Sequence, residues 1–492
     1  MSPSPEIHAP PVGDLDGAAF RAAAQQAVDI VARYLDSPES WPVVARGRPG
    51  DLSAALPADA PESGEPMSRL LEDFEQLVLP HTTHWNHPGF MAYFGTTGST
   101  PAILAELLIA ALNVNAMVWK SGPAQTEMEE VTLDWLRRLL GLGDGWDGTI
   151  NDTASTSTMH ALAAAREAAN VDARTRGLAG RSDLPRLRVY CSEEAHSSVD
   201  KAAITLGIGM EGVRHVQTDA SLAMDAAALA RAIEDDRRSG WLPIAVVATV
   251  GTTSTTALDP IPAIADVCAR ERVWLHVDAA YGGIAAMLPE MRHVLDGCER
   301  ADSIVVNPHK WMFVPMDCSV LYTRRPEMLR RAFSLVPAYL ETPGTGDARN
   351  LMDYGLALGR RFRSLKLWFV MRWFGASGMR DRLRVHLRIA RSLAAWVDAD
   401  PACERMAPVN FSVVVFRFVR PGLDDDAVDR LNARVIEKVN ESGEVFLAQT
   451  RVQGRLAIRV AIGNVRTAES HVARAWELLR AAAAEAYASS SR

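Results

Sequence analysis

Five lysines serve the whole chain, at 120, 201, 310, 366 and 438, although Lys and Arg together number 52. Arginine supplies positive charge nearly everywhere else. Lys310 stands out by its setting. It lies in DSIVVNPHKWMFVPMDCSVLY (302–322), between two apolar runs and beside His309. A lysine in apolar surroundings gives up its proton more readily, and the neutral amine adds to aldehydes. Asp278 closes a second apolar run, VWLHVD (273–278). His196 follows LRVYC (187–191), and Thr252 and Thr253 follow IAVVATV (244–250). Each of these residues comes just after a stretch that reads as a buried strand. Ligands of open α/β sheets bind beyond the carboxyl ends of the strands. One rim would therefore carry a His, a Thr, an Asp and a Lys.

Upstream, NDTASTSTMHALAAAREAA (151–169) sets small hydroxyl residues before an Ala-rich helix. Free N–H groups at a helix start bind phosphate, which makes Thr153, Ala154 and Ser155 candidates. Plain N-capping by Ser or Thr is the competing reading. An amine for an aldehyde, a carboxylate for a pyridine nitrogen, a ring to stack and a phosphate cup are what pyridoxal 5'-phosphate requires. The alternatives are a turn residue at Asp278, loop histidines at His196 and His309, and a snorkelling lysine at Lys310. The segment GDGWDG (143–148) matches G-x-G-x-x-G but follows a helical pattern, so it reads as a glycine-rich turn. There is no H-E-x-x-H, G-x-S-x-G or C-x-x-C, which leaves no hydrolase motif and no metal site to expect.

The elements that must position these residues follow from the hydrophobic pattern. Strands are expected at 187–191, 244–250, 273–278, 303–307 and 319–323, separated by helical stretches. The first four are continuous apolar runs, as in sheets buried on both faces. This predicts an α/β fold with a mostly parallel sheet. Helices are expected at 18–36, 67–79, 101–112 and 360–374. A small α+β tail should hold a strand at 412–418, a helix at 425–441, a hairpin and a closing helix at 467–487. The expected division is an N-terminal arm (1–99), a large domain (100–375) and a small C-terminal domain (376–492). The arm has little core of its own and needs another surface to pack on.

The bulk numbers agree with a globular enzyme. The chain has 492 residues, is 48% hydrophobic and carries a net charge of −8. No basic stretch points to nucleic acid or to a membrane surface. The N-terminus shows no secretory pattern, and five scattered cysteines fit a reducing cytoplasm.

The segments NPHKW (307–311), HVDAAYGG (276–283) and AHSSVDKA (195–202) resemble the pyridoxal-phosphate-dependent group II amino-acid decarboxylases, in particular the aromatic-L-amino-acid decarboxylases. HWNHPGFMAYF (84–94), PAQTEMEEVTLDWL (123–136), LGRRFRSLKLWFVMR (358–372) and HVARAWELL (471–479) extend the likeness along nearly the whole chain. The resemblance implies fold type I and an intertwined homodimer with shared active sites. It implies that Lys310 bonds the cofactor, Asp278 pairs with the ring nitrogen, His196 stacks on the ring and Ala280 lies on its other face. Thr253 falls near the 3-hydroxyl side. Thr153, Ala154, Ser155 and Asn307 fall on the phosphate, with Leu358 and Gly359 contributed by the second subunit. His309 flanks the lysine. Trp85, Tyr93 and Thr96 fall where the family contacts substrate. Tyr339, in SLVPAYLETPG, matches the tyrosine of the family's catalytic loop.

Departures from the family pattern occur at the phosphate segment and at the side-chain pocket. Thr153 stands where the family's phosphate segment usually opens with Ser. Asn115 and Met117 stand where aromatic-specific members place larger apolar residues around the substrate side chain. The expected reaction is decarboxylation of an L-amino acid, most of all an aromatic one such as dopa, tryptophan, 5-hydroxytryptophan, tyrosine or phenylalanine, to the amine. The rivals are an aldehyde synthase of the same family, a decarboxylase of a non-aromatic amino acid, an aminotransferase and a non-enzymatic scaffold. Arg459 could serve the aminotransferase as a carboxylate grip. Its place beside Arg455 on a strand favours an ordinary strand-face role.

Overall fold

A computed structural model describes residues 13–335 and 348–489. A seven-stranded sheet forms its centre: β1 (Asp147–Asn151), β2 (Leu187–Ser192), β3 (Val213–Val216), β4 (Leu242–Thr249), β5 (Trp274–Asp278), β6 (Ser303–Val306) and β7 (Ser319–Thr323). Their order is β1-β7-β6-β5-β4-β2-β3. The neighbours from β6 to β3 pair in parallel, and β7 runs antiparallel to both β6 and β1. Strands β4 to β7 are buried almost throughout because helices cover both faces. This is the mostly parallel α/β sheet expected of fold type I.

The five strands expected from apolar runs are present, and two more appear. β1 had read as a turn because Gly148 interrupts its short run. β3, VRHV, is a four-residue edge strand with half its side chains toward solvent. GDGWDG joins the helix Pro123–Leu140 to β1, so no strand precedes it.

The second sheet, in the order β10-β11-β9-β8, is wholly antiparallel. Its strands are β8 (Cys403–Arg405), β9 (Val413–Phe418), β10 (Ala448–Val452) and β11 (Arg455–Ala461). Gln453 and Gly454, both with positive φ, close the β10–β11 hairpin. The helix Arg363–Ala399 runs between the two sheets and breaks at Gly375, whose φ is 61°. Among the described residues no helix is long and apolar enough to cross a membrane.

The helix Gly17–Asp36 buries only Ile30, while Phe20, Val28 and Val31 stay exposed. The helix Thr100–Leu112 exposes Leu104, Leu107, Leu108 and Leu112 by 47–58%. Among the described residues nothing covers these exposed apolar side chains of the two helices.

Candidate active site

Parallel pairing puts the ends of β2, β4, β5 and β6 on one edge of the sheet. Asp278 is the last residue of β5 and lies opposite Thr249 of β4 and Val305 of β6. Its Oδ1 accepts the Ala280 N–H at 3.1 Å. The turns after β4 and β5 are drawn together by two backbone bonds, Val250 N–H to Asp278 O and Gly282 N–H to Val250 O. A Cβ on Gly282 would lie 2.5 Å from Val250 O, so only glycine allows that approach. The result fixes Asp278, Ala280 and the loop of Thr253 in one place.

Lys310 reaches the same edge through a short turn after β6, where its N–H bonds Asn307 O at 3.0 Å. Its Nζ stands 4.9 Å from the centre of the Phe94 ring. Burial pushes the amine below its ordinary pKa; Asp278 opposes that shift and the Arg459 cation adds to it. The His196 ring is exposed, and its Nδ1 accepts the Ser198 N–H at 3.1 Å. Its pKa is lowered by desolvation, raised by Asp278 and lowered by Lys310, which places all three charges in mutual range.

The helix Ala154–Ala168 starts at the N-cap Thr153, directly after β1. Asn151 Nδ2 donates to Ser157 Oγ (3.1 Å), and Ser157 Oγ pairs with Ser319 Oγ of β7 (2.9 Å). These bonds anchor the helix start beside the sheet edge. Thr153 and Ala154 are half-buried and Ser155 is exposed. Asn307 is buried, and one polar atom of its side-chain amide has no partner. A helix start with open N–H groups, a hydroxyl and a spare amide suits a phosphate, and the neutral-leaning Lys310 suits an aldehyde. The residues present therefore fit pyridoxal phosphate.

Arg459 is the residue that sequence reasoning undervalued. It is buried, its Nε donates to Thr253 O (2.9 Å) and its Nη1 to Tyr93 O (2.5 Å). Its Cζ stands 4.6 Å from the Phe94 ring centre, and Nη2 has no partner. Burial lowers its pKa to about 10. Arg459 thus borders the Lys310 edge through Phe94 instead of standing on an open strand face. Phe94 was also missed; it stacks on Tyr281 at 3.9 Å and borders both cations.

Trp85 and Tyr93 flank the site as a partly open aromatic wall. Trp85 stacks on Phe90 (4.3 Å) and Tyr93 (5.9 Å), and Tyr93 adopts a φ of 52°. Thr96 is half-buried in the same segment.

Asn115 and Met117 are placed differently. Asn115 Oδ1 accepts the Arg360 N–H (2.8 Å), and Met117 O accepts the Met352 N–H (3.0 Å). They sit with the exposed Leu358 and Gly359 on a segment braced by the buried Arg360–Glu129 ion pair (2.8 Å). No recorded contact ties this group to Lys310 among the described residues. Tyr339 lies outside the described residues.

The comparisons with known proteins agree with this geometry. Residues 49–419 match the pyridoxal-dependent decarboxylase conserved domain. The chain belongs to the pyridoxal-dependent decarboxylase family. It is 38% identical to a Sus scrofa aromatic-L-amino-acid decarboxylase, over 95% of this chain and 96% of that one. It is 36% identical to a phenylacetaldehyde synthase of a Rosa hybrid cultivar, over 95% and 94%. Among solved structures, Oryza sativa TDC with PLP and tryptamine superimposes with a TM-score of 0.92 at 37% identity, over 96% of this chain and 99% of that one. Like its family, the chain is a pyridoxal-phosphate-dependent amino-acid decarboxylase.

Proposed function

We propose that the chain converts an aromatic L-amino acid to its amine and CO2, as a homodimer in the cytoplasm. The observation that carries this is the meeting of Lys310, Asp278 and His196 at one sheet edge beside the Trp85–Tyr93 wall. Pyridoxal phosphate, when bound, supplies a conjugated ring that takes up the electron pair left as CO2 departs. Lys310, Asp278, His196, Ala280 and Thr253 would hold its ring, with His309 flanking the lysine among the cofactor-site residues. Thr153, Ala154, Ser155 and Asn307 would hold its phosphate, with Leu358 and Gly359 from the second copy.

The remaining work falls to side chains of this chain. The Asp278 carboxylate stabilises positive charge on the ring nitrogen. The Arg459 guanidinium has no carboxylate partner among the described residues and offers Nη2 to the substrate's carboxylate. Trp85 and Tyr93 offer flat apolar surface to an aromatic side chain. Tyr339, with His196, supplies the proton to the substrate Cα; protonation there ends in amine.

The exposed leucines of helix Thr100–Leu112 and the apolar face of helix Gly17–Asp36 support a second copy as their cover. In that assembly Asn115 and Met117, grouped with Leu358 and Gly359, line the other subunit's pocket. The arm 1–99, the cofactor-binding domain 100–375 and the small domain 376–492 are the units of this reading. Five unpaired cysteines support a reducing compartment.

The relatives also include aldehyde synthases, so oxidation at Cα is the second reading. Tyr339 favours the amine, since synthases of this family tend to carry Phe there. A panel of L-amino acids with mass detection of amine, aldehyde and peroxide tests both, with Lys310→Ala as control. Aldehyde with peroxide in place of amine would establish the second reading. Turnover of non-aromatic substrates alone would overturn the aromatic assignment.

A further inference from the structure

Lys310 is preceded by a histidine that the reaction itself does not call upon. His309 is buried, and its pKa falls to about 3 through desolvation and the neighbouring Lys310, so the ring is neutral at physiological pH. A neutral imidazole carries one N–H, and its surroundings decide where. The backbone N–H of Cys318 donates to Nδ1 at 2.9 Å, so Nδ1 must be the bare nitrogen. The hydrogen therefore sits on Nε2.

Nε2 faces the side-chain amide of Asn307 at 3.2 Å. An N–H donor there requires the amide oxygen, not its NH2 group. With NH2 toward His309, two donors would face each other and Oδ1 would be buried without a partner. With Oδ1 toward His309, both conflicts vanish. The NH2 group then takes the side on which the buried amide has no hydrogen-bond partner among the described residues. Asp152, directly before the N-cap Thr153, acts electrostatically on His309, so the pair lies near the start of helix Ala154–Ala168. Buried donors beside a helix N-terminus need an anionic acceptor.

We propose that His309 is a positioning residue: its Nε2–H holds Asn307 Oδ1 and thereby turns the Asn307 NH2 group into a donor for the cofactor's phosphate. The backbone just before β7 thus sets a phosphate contact through two side chains, Cys318 N–H to His309 to Asn307. The inference rests on the assignment of Asn307 to the phosphate given above.

The test compares two probes, pyridoxal 5'-phosphate and pyridoxal, binding to the cofactor-free full-length protein by absorbance titration. His309→Ala and Asn307→Ala should each weaken binding of the phosphate ester about tenfold, the worth of one charge-assisted hydrogen bond. Pyridoxal, which lacks the phosphate, should change less than about twofold. The double variant should bind no worse than either single one, because the two residues form one unit. His309→Gln should retain wild-type affinity, since its Oε1 can accept from Cys318 N–H and its NH2 can donate to Asn307. Long-range 15N spectra of the cofactor-free protein should show the proton on Nε2. A proton on Nδ1, or equal weakening of both probes in His309→Ala, overturns the proposal. If Asn307→Ala binds the ester normally, the phosphate assignment itself fails. If Asn307→Ala weakens it and His309→Ala does not, only the positioning role falls.

Discussion

Arg459 and Lys310 border the same Phe94 ring, and that shared neighbour sets a measurable electrostatic effect. Both approach one ring centre, at 4.6 and 4.9 Å. Their charges are therefore no more than about 9.5 Å apart, and at an effective dielectric of ~20 they repel by at least ~1.7 kcal/mol. At the dielectric of bulk water the figure drops to ~0.4 kcal/mol. Replacing Arg459 by Met removes the repulsion and stabilises the protonated amine. The neutral fraction of Lys310 at a fixed pH below its pKa should then fall by about twofold to twentyfold. Only the neutral amine captures an aldehyde, so the readout is the rate at which cofactor-free protein binds pyridoxal phosphate between pH 6 and 9. The acid limb of that profile should move to higher pH in Arg459→Met. Arg459→Lys keeps the charge and should leave the limb in place, although it disturbs the bonds to Thr253 and Tyr93 as well. An unmoved limb in Arg459→Met, or equal movement in both variants, refutes the electrostatic reasoning.

Other outcomes follow from single features. Borohydride reduction of the holoprotein followed by peptide mapping should attach the cofactor to Lys310 and to none of the other four lysines; Lys310→Ala should lose both the label and amine formation. Glu129→Gln breaks the buried pair with Arg360 and weakens the acceptor of the Ile150 N–H. It should cost about 3–5 kcal/mol in denaturant unfolding, because Arg360 is left buried and unpaired. Leu107→Glu should leave the proposed dimer a monomer in sedimentation and depress activity, since in that assembly each site would draw on both chains. Stability should fall on acidification, because burial holds His160, His276 and His386 at about 4 in the folded chain. The unfolded chain binds the extra protons first, so stability is full above pH 6.5 and is lost as the pH drops toward 4. The loss at pH 5 is about 2 kcal/mol per ring, checked by unfolding midpoints at pH 7 and 5.

The sequence showed the central sheet wherever strands are long and apolar. β4, β5 and β6 are buried on both faces, and such runs have no competing period. β1 was hidden because five residues containing a glycine look like a turn, yet this strand leads into the helix proposed to hold the phosphate. The scarcity of lysine singled out Lys310, but Lys366 shows the limit of that reasoning. Lys366 is fully buried and pairs with Glu106 at 2.6 Å, so scarcity there marks a structural ion pair. Arg459 was misread because Arg455 and Arg459 share one face of β11 by spacing. Arg455 stays half-open while Arg459 is covered by the segment of Tyr93 and Phe94, with Tyr93 lying 366 residues earlier. No local pattern announces a lid supplied from so far away. Asn115 Oδ1 accepts the Arg360 N–H, a pairing between residues 245 apart that no local pattern shows.

The Phe94 junction also dictates an order of events during synthesis. Phe94 leaves the ribosome early, Lys310 some two hundred residues later, and Arg459 close to the end. Until β11 has emerged and folded, Lys310 lacks the cation that helps to unload its proton, and Tyr93 and Thr253 lack the donor that joins their loops. A nascent chain can thus carry its complete lysine-bearing sheet and still be slow to take up cofactor. The small sheet, through β11, thereby completes the setting of a lysine that the large sheet delivers.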